Sequence, residues 1–281
     1  MEAAQVAAGG PTHAELILKQ QVRAQRVFST QVVISWIALL GLLVFIFSGQ
    51  RIQIGPIDIQ TIQLDAEFIS RAAPVISQGA LLTLQISITS IFFASVLALL
   101  TALSRLSRLA PIYALATFYV SLIRGTPLLL QIVFLFLGLP RMGINLSGPI
   151  IGVVALSLNY GAYMSEIFRA GIQSVGKGQR EAALALGMTQ AQLMRRIVLP
   201  QALRVVIPPT GNEFIAMLKD SSLASITGFV HELAWLGQNL GRREFRSLEA
   251  LIVVALWYWG MTILFSWLQA RLETRMARGE R

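Results

Sequence analysis

Long apolar segments, separated by short polar or basic stretches, make up most of the chain. A helix needs about 20 residues to cross the hydrocarbon core of a bilayer, and apolar runs near this length are typical of transmembrane helices. The pattern therefore predicts an all-α polytopic membrane protein with six spans. The six apolar segments cover residues 32–47, 75–103, 111–139, 150–170, 205–218 and 250–268.

The first apolar segment follows a polar leader, residues 1–30, and is short for a span. It is either a cleaved signal peptide or a retained membrane anchor. Because the leader is long and Ser48-Gly49-Gln50-Arg51 lacks a small-x-small cleavage pattern, we favour a retained span over residues 31–48. Residues 49–73 contain a Gly-Pro pair and three acidic residues, and we expect them to form an extracytoplasmic loop.

The third apolar segment is interrupted by Arg124-Gly125-Thr126-Pro127. Proline lacks the backbone N–H and breaks or kinks a helix. Non-helical backbone at membrane depth is tolerated only where protein or a cavity covers it. Arg124, Gly125 and Pro127 thus predict a helix break at a protected position.

The distribution of basic residues predicts the orientation of the chain. The leader, the 104–108 turn, the loop that ends at Arg204 and the C-terminal tail carry 14 Lys and Arg, against six in the three opposite loops. Cytoplasmic loops carry the excess of Lys and Arg, so both termini are expected in the cytoplasm. Arg242 and Arg243, in the last outer loop, oppose this bias. The net charge of +9 is consistent with cytoplasmic loops that face anionic lipid.

The longest stretch that looks soluble is Glu181–Pro200, EAALALGMTQAQLMRRIVLP. Its Ala- and Leu-rich start favours a helix, and Gly187 suits the left-handed position that ends one. Thr189 and Gln192 have the spacing of a capping box, which begins a second helix. Pro200 is expected to end this second helix.

Such a helical hairpin could be a DNA-binding helix-turn-helix or a docking element for a cytoplasmic partner. Apolar spans on both sides place it at a membrane surface, which argues against DNA. Its sequence resembles the EAA loop of bacterial ABC importer permeases, and its flanks resemble the polar amino acid branch of that family over about residues 75–272. The resemblance rests on Glu181-Ala182-Ala183, Gly187, Ile197-Val198-Leu199-Pro200, Ser121-Leu122-Ile123-Arg124-Gly125-Thr126-Pro127 and Gly211-Asn212-Glu213-Phe214.

The resemblance implies a type I ABC importer transmembrane domain, a MetI-like five-helix core over residues 74–272, with one extra N-terminal span. The coupling loop would cover residues 174–203 and the cytoplasmic tail residues 273–281. Residues 49–73 would then be periplasmic. The coupling residues implied by the resemblance are Glu181, Ala182, Ala183, Gly187, Leu199 and Pro200.

The same resemblance implies the partners. They are a cytoplasmic ABC ATPase dimer, a second permease of the same or a homologous kind, a periplasmic solute-binding protein and an amino acid substrate. The chain would sit in bacterial inner-membrane lipid and bind no nucleic acid. ATP and Mg would bind the ATPase, with no cofactor in this chain.

Polar residues inside the apolar segments are candidates for the substrate path, because they are costly in a bilayer unless they meet a partner or water. Asn159, Tyr163 and Glu166 are spaced i, i+4 and i+7 on one helical face. They could line a cavity that accepts a substrate cation. For Glu166 an ion pair with Arg169 is an equal alternative.

Further path candidates lie near helix irregularities. Asn212 and Glu213 follow Pro208-Pro209 and could line the substrate path. Alternatively, Asn212 packs against a neighbouring helix, and Glu213 forms a salt bridge with Lys219 or Arg124.

At the predicted break, Arg124 could receive a substrate carboxylate or only fix helix geometry. Thr126 and Gln131 are expected to line the pore. Thr83 is a candidate that could equally bond back to its own helix.

No catalytic constellation is recognisable. The chain has no cysteine and two histidines that are far apart in sequence, which argues against Cys- or His-based metal sites. It has no Gly-x-x-x-x-Gly-Lys-Ser/Thr loop for ATP. We therefore expect a transport subunit and not an enzyme. The alternative is a stand-alone ion-coupled transporter that uses Glu166 and Glu213.

Overall fold

The computed structural model describes residues 13–277, so the first part of the predicted leader and the end of the predicted tail lie outside the described residues. The chain divides after Ala66 into two compact units. The first contains one long helix and a β-hairpin, and the second contains the remaining helices.

In the first unit, α1 (His13–Ile46) includes an apolar stretch, Gln20–Ile46, long enough to cross a membrane. It is followed by β1 (Arg51–Ile54) and β2 (Ile57–Gln60), which pair antiparallel. Gly55 has a positive φ of 60° between the strands, a conformation that glycine adopts without a Cβ penalty. The predicted loop thus contains an ordered hairpin.

The second unit is helical. Its helices are α2 (Ala66–Arg105), α3 (Ala110–Arg124), α4 (Leu128–Arg141), α5 (Gly148–Gln173), α6 (Lys177–Ala185), α7 (Gln190–Leu193), α8 (Leu199–Asp220), α9 (Leu233–Arg243) and α10 (Ser247–Ala277). A π-helical turn (Met194–Val198) lies between α7 and α8, and a 3₁₀ segment (Ser221–Thr227) follows α8.

The end of the predicted outer loop, residues 49–73, is helical, because α2 already begins at Ala66 and contains Pro74. The N-terminal turns of α2 bury Phe68, Ala72 and Ile76 against residues of α9 and α10. Burial of these side chains stabilises helical structure that the proline alone would disfavour.

α5 lies at the centre of a second apolar cluster. Its Leu156, Tyr160 and Met164 pack with Ile86 of α2 and Met217 of α8. This packing places the polar face of α5 beside the ends of α2 and α3, where the candidate site lies.

Gly79 permits a close approach of two helices in this unit. A Cβ on Gly79 of α2 would lie 2.6 Å from the backbone nitrogen of Leu233, at the start of α9. Only glycine fits this contact without a backbone shift.

Among the described residues, four helices are long and apolar enough to cross a membrane: α1, α2, α5 and α10. The pair α3 and α4 makes a fifth candidate if it counts as one span, bent by 105°. The six predicted spans included α8, which is 22 residues long but carries Arg204, Asn212 and Glu213 and is not among the apolar candidates. By apolar composition the structure thus supports four or five spans.

Candidate functional site

The helical hairpin after α5 is built from local sequence signals, as predicted. α6 ends near Gly187, whose φ is 77°, and the Met188 N–H donates to the Ala183 carbonyl over 3.1 Å. A capping box begins α7: the Gln192 N–H donates to Thr189 Oγ1 over 3.3 Å, and the Thr189 N–H to Gln192 Oε1 over 2.9 Å. Both predictions are confirmed.

The prediction that Pro200 ends the second helix is wrong. The chain continues through the π-helical turn into α8, with Pro200 in its first turn. The Leu199 N–H donates to the carbonyl of Met194, five residues back. A proline ring clashes with the carbonyl of residue i−4 in a regular α-helix, and the wider π turn accommodates it.

One side of the hairpin is packed and the other is open. Ala183, Leu193 and Val198 are buried with Ile172 and Val175, at the C-terminal end of α5. The Arg180 guanidinium donates to the carbonyls of Ile172 and Val175. The open side includes exposed Glu181 and Ala182, together with Leu186, which is 84% exposed.

The predicted helix break is confirmed between α3 and α4. Gly125 and Pro127 flank Thr126, whose hydroxyl donates to the carbonyl of Leu122 over 3.0 Å. The Gln131 side-chain amide donates to the Ile123 carbonyl over 2.8 Å and to Thr126 Oγ1 over 2.9 Å. Side chains thus satisfy backbone groups that the break releases.

The break is joined to α5 by two contacts. Asn159 Nδ2 donates to Gln131 Oε1 over 3.0 Å. Beside it, the Arg124 guanidinium lies 5.1 Å from the ring centroid of half-exposed Tyr163, within cation–π distance. The structure therefore brings together Arg124, Thr126, Gln131, Asn159 and Tyr163, which we call the polar strip.

Glu166 lies at the end of this polar strip, inside a group of three arginines. Arg169 donates to Glu166 Oε2 from Nη2 over 2.8 Å and from Nε over 3.0 Å. The Arg105 guanidinium binds Oε1, and Arg124 Nη1 lies 3.5 Å from the same oxygen. The predicted alternative, an ion pair between Glu166 and Arg169, is observed. Arg105 and Arg124 also contact this carboxylate, so three cations share it. Sequence reasoning missed Arg105, for which only the basic turn at residues 104–108 was a signal.

Asn212 and Glu213 are placed on α8. Gln269 of α10, which sequence reasoning missed, donates from Nε2 to Asn212 Oδ1 over 3.0 Å and to the Pro208 carbonyl over 3.1 Å. Between described residues, neither of the salt bridges considered for Glu213 forms.

Thr83 lies in a different, fully buried environment. Its hydroxyl bonds back to the Gly79 carbonyl, as the alternative predicted, and also contacts Glu232 Oε2, each over 3.1 Å. Tyr258 donates to the same Glu232 oxygen over 2.6 Å. This network joins α2, α9 and α10 and was not predicted. The substrate-path role of Thr83 stays a prediction, as do the roles of the other path residues.

Residues 91–278 match the sequence model of a family described as binding-protein-dependent transport system inner membrane component. This match covers about two thirds of the chain, and its region includes the helix break, the polar strip and the hairpin. The chain belongs to this family. Membership favours a transport component of an ABC importer over a stand-alone ion-coupled transporter.

Curated relatives are permeases of amino acid importers. The L-cystine transport system permease protein TcyB of Bacillus subtilis is 43% identical over 206 residues, 73% of this chain and 88% of the relative. The glutamine transport system permease protein GlnP of Escherichia coli is 37% identical over 216 residues, 76% of this chain and 98% of the relative.

Solved structures agree on the fold. A crystal structure of an amino acid ABC transporter with histidines has a TM-score of 0.71 and 38% identity, and the match covers 76% of this chain and all of that one. The MetNI methionine ABC transporter, in an inward facing conformation, has a TM-score of 0.60 at 17% identity and covers the same share of this chain and 99% of its own. The predicted type I importer fold is confirmed.

Proposed function

We propose that this chain forms the translocation path for a polar amino acid in a bacterial inner membrane, with both termini in the cytoplasm. A separate ATPase dimer that binds ATP and Mg would drive transport, a periplasmic binding protein would deliver the substrate, and a second permease would complete the path. The observation that carries this proposal is the family match together with relatives that are named as amino acid permeases.

The hairpin is the element through which the ATPase would act. Its buried side is fixed to the end of α5 by Ala183 and Leu193, so a displacement of the hairpin moves α5. Its open side carries Glu181, Ala182 and Leu186, which offer a carboxylate, a small residue for close approach and an apolar anchor. Leu199 and Pro200 continue the hairpin into α8, so the same displacement reaches a second helix of the path.

The polar strip on α3, α4 and α5 is the proposed substrate-facing part of the path. Three guanidinium groups share one carboxylate at Glu166, which leaves a surplus of positive charge. Arg124 makes the longest of these ion pairs and has the most exposed side chain, at 43%. It is therefore the cation best placed to turn toward a substrate carboxylate, with the Tyr163 ring beside it.

The remaining strip residues hold this geometry. Gln131 hydrogen-bonds to both Thr126 and Asn159, which positions the end of α3. Arg124 is the last residue of α3. Their proposed role is to orient Arg124 toward the path.

Uptake by the reconstituted complex tests the proposal. Proteoliposomes that contain the permease and ATPase, with binding protein outside, are expected to accumulate a polar amino acid only when ATP is enclosed, and a protonophore should leave the initial rate within twofold. Accumulation that needs no ATP and collapses with the protonophore would instead support ion-coupled transport through Glu166 and Glu213.

A further inference from the structure

The connection between α5 and the helical hairpin is short, and an arginine side chain spans it. Residues 174–176 alone separate α5 from α6 along the chain. Arg180, the fourth residue of α6, reaches back over this connection. Its Nε donates to the Val175 carbonyl over 3.2 Å, and its Nη2 donates to the Ile172 carbonyl. We call this pair of hydrogen bonds the Arg180 clamp.

The Arg180 clamp satisfies backbone groups at the C-terminal end of α5. The last carbonyls of an α-helix lack N–H partners within the helix and carry partial negative charge, which favours a cation there. Ile172 and Val175 are both buried, so protein donors must take the place of water at this end. The guanidinium presents its N–H groups in a rigid plane and binds both carbonyls at once. The clamp therefore fixes the direction of α6 relative to α5.

Apolar packing supports the same junction without fixing its angle. Ala183 and Leu193 of the hairpin are buried with Ile172 and Val175. Such contacts are non-directional, so they hold two surfaces together while the angle between the helices changes. A hydrogen bond weakens steeply when its geometry departs from linear. The Arg180 clamp thus adds a directional contact to a junction that is otherwise apolar.

α5 leads directly from the clamp to the candidate site. The helix is continuous and carries Asn159, Tyr163 and Glu166. Glu166 precedes Ile172 by six residues, which is about 9 Å along the helix axis. If the clamped end of α5 moves as part of a rigid helix, these three side chains move with it.

We propose that Arg180 is a positioning residue that transmits movement of the hairpin to α5. With the clamp in place, a displacement of the open side of the hairpin turns α6 and α5 together. Without the clamp, the hairpin still docks but changes its angle at residues 174–176, and the polar side chains of α5 do not follow. This inference rests on the proposed function, in which a separate ATPase moves the hairpin.

Three variants of the full-length permease, purified with its ATPase, test the clamp. Arg180→Met removes every N–H donor of the side chain and keeps an unbranched stem. Arg180→Lys keeps the charge but not the planar group that binds two carbonyls. Lys177→Met is the matched control, because it removes a cation from the first turn of the same helix. The Lys177 side chain is exposed and forms no ion pair with any residue that the structure describes.

The first measurement is the amount of amino acid taken up per ATP hydrolysed in proteoliposomes, with a labelled mixture of polar amino acids as the probe. Arg180→Met should lower this ratio at least fivefold, since coupling between two sites typically changes a response by about 5- to 150-fold. Its ATPase recovery should stay within twofold of wild type. Arg180→Lys should give an intermediate ratio, and Lys177→Met the wild-type ratio. A role in stability alone would lower uptake and hydrolysis together and leave the ratio unchanged.

A second measurement follows α5 itself and needs no substrate. The chain has no cysteine, so Tyr163→Cys places a single thiol on α5, where the ring of Tyr163 lies beside Arg124. Its rate of labelling by a charged maleimide is expected to differ at least fivefold between the nucleotide-free complex and the complex trapped with ATP and vanadate. Adding Arg180→Met should reduce this difference to less than twofold, whereas adding Lys177→Met should preserve it.

A wild-type ratio of uptake to hydrolysis in Arg180→Met, or an undiminished difference in labelling, would overturn this inference and leave the proposed function intact. Loss of ATPase recovery in Arg180→Met would also overturn it, because the clamp would then determine docking and not transmission. A wild-type permease that retains no ATPase would overturn the proposed function, and this inference with it.

Discussion

Replacing Glu166 with glutamine is expected to lower ATP-driven uptake at least tenfold and to destabilise the permease. The substitution leaves Arg105, Arg124 and Arg169 without their shared carboxylate. Removal of one partner from a fully buried ion pair costs about 3–5 kcal/mol; because Glu166 is 26% exposed, we expect about 2 kcal/mol. Thermal unfolding of the purified protein and uptake in proteoliposomes measure the two effects.

Glu166→Asp is the matched control, since it keeps the charge and shortens the side chain by one methylene group. It should retain most of the stability. Adding Arg169→Gln to Glu166→Gln removes one of the surplus cations and should recover part of the lost stability. If Glu166→Gln unfolds at the wild-type temperature and supports wild-type uptake, then neither the stability nor the activity of the permease depends on the pairing of the three arginines with this carboxylate.

Replacing Gly187 with valine is expected to reduce recovery of the ATPase with the permease at least tenfold, without lowering permease levels in the membrane. Gly187 has a φ of 77°, which a β-branched residue adopts only with strain. The strain would alter the angle between α6 and α7 and so displace the open side of the hairpin. Affinity purification followed by quantification of the ATPase subunit measures this effect.

Gly178→Val is the matched control in the same hairpin. Gly178 lies in α6, has no positive φ, and a Cβ there would meet no atom within 4 Å. It should therefore leave ATPase recovery within twofold of wild type. Equal recovery of the ATPase by the two variants, at any level, would show that the turn at Gly187 does not determine docking.

Features that depend on neighbours in sequence were predictable. The capping box at Thr189 and Gln192, the left-handed Gly187 and the break at Pro127 each follow from local backbone chemistry. Pro200 was mispredicted because proline ends a regular α-helix, whereas a π turn precedes it here. A five-residue hydrogen-bond pattern leaves no signal in the sequence.

The β-hairpin of the first unit does have a signal in the sequence. Isoleucine recurs at residues 52, 54, 57 and 59 around Gly55-Pro56, an alternation that is typical of two short strands joined by a turn. The acidic residues and the Gly-Pro pair predicted only an extracytoplasmic loop over residues 49–73.

The candidate site was only half predictable. The i, i+4, i+7 spacing put Asn159, Tyr163 and Glu166 on one face, and the structure keeps them there. Glu166 pairs with Arg105, 61 residues earlier, and no periodic pattern in the sequence indicates such a long-range contact. The contact between Gln269 and Asn212 was missed for the same reason.

This permease is expected to work with a separate ATPase. Affinity purification of the chain from its native membrane in mild detergent, with mass spectrometry of the co-purifying proteins, tests this dependence. We predict an ATPase subunit with a phosphate-binding loop in stoichiometric amount, together with a second copy or a homologous permease. A chain that elutes alone, remains stable and transports amino acids in liposomes on an ion gradient would contradict the claim.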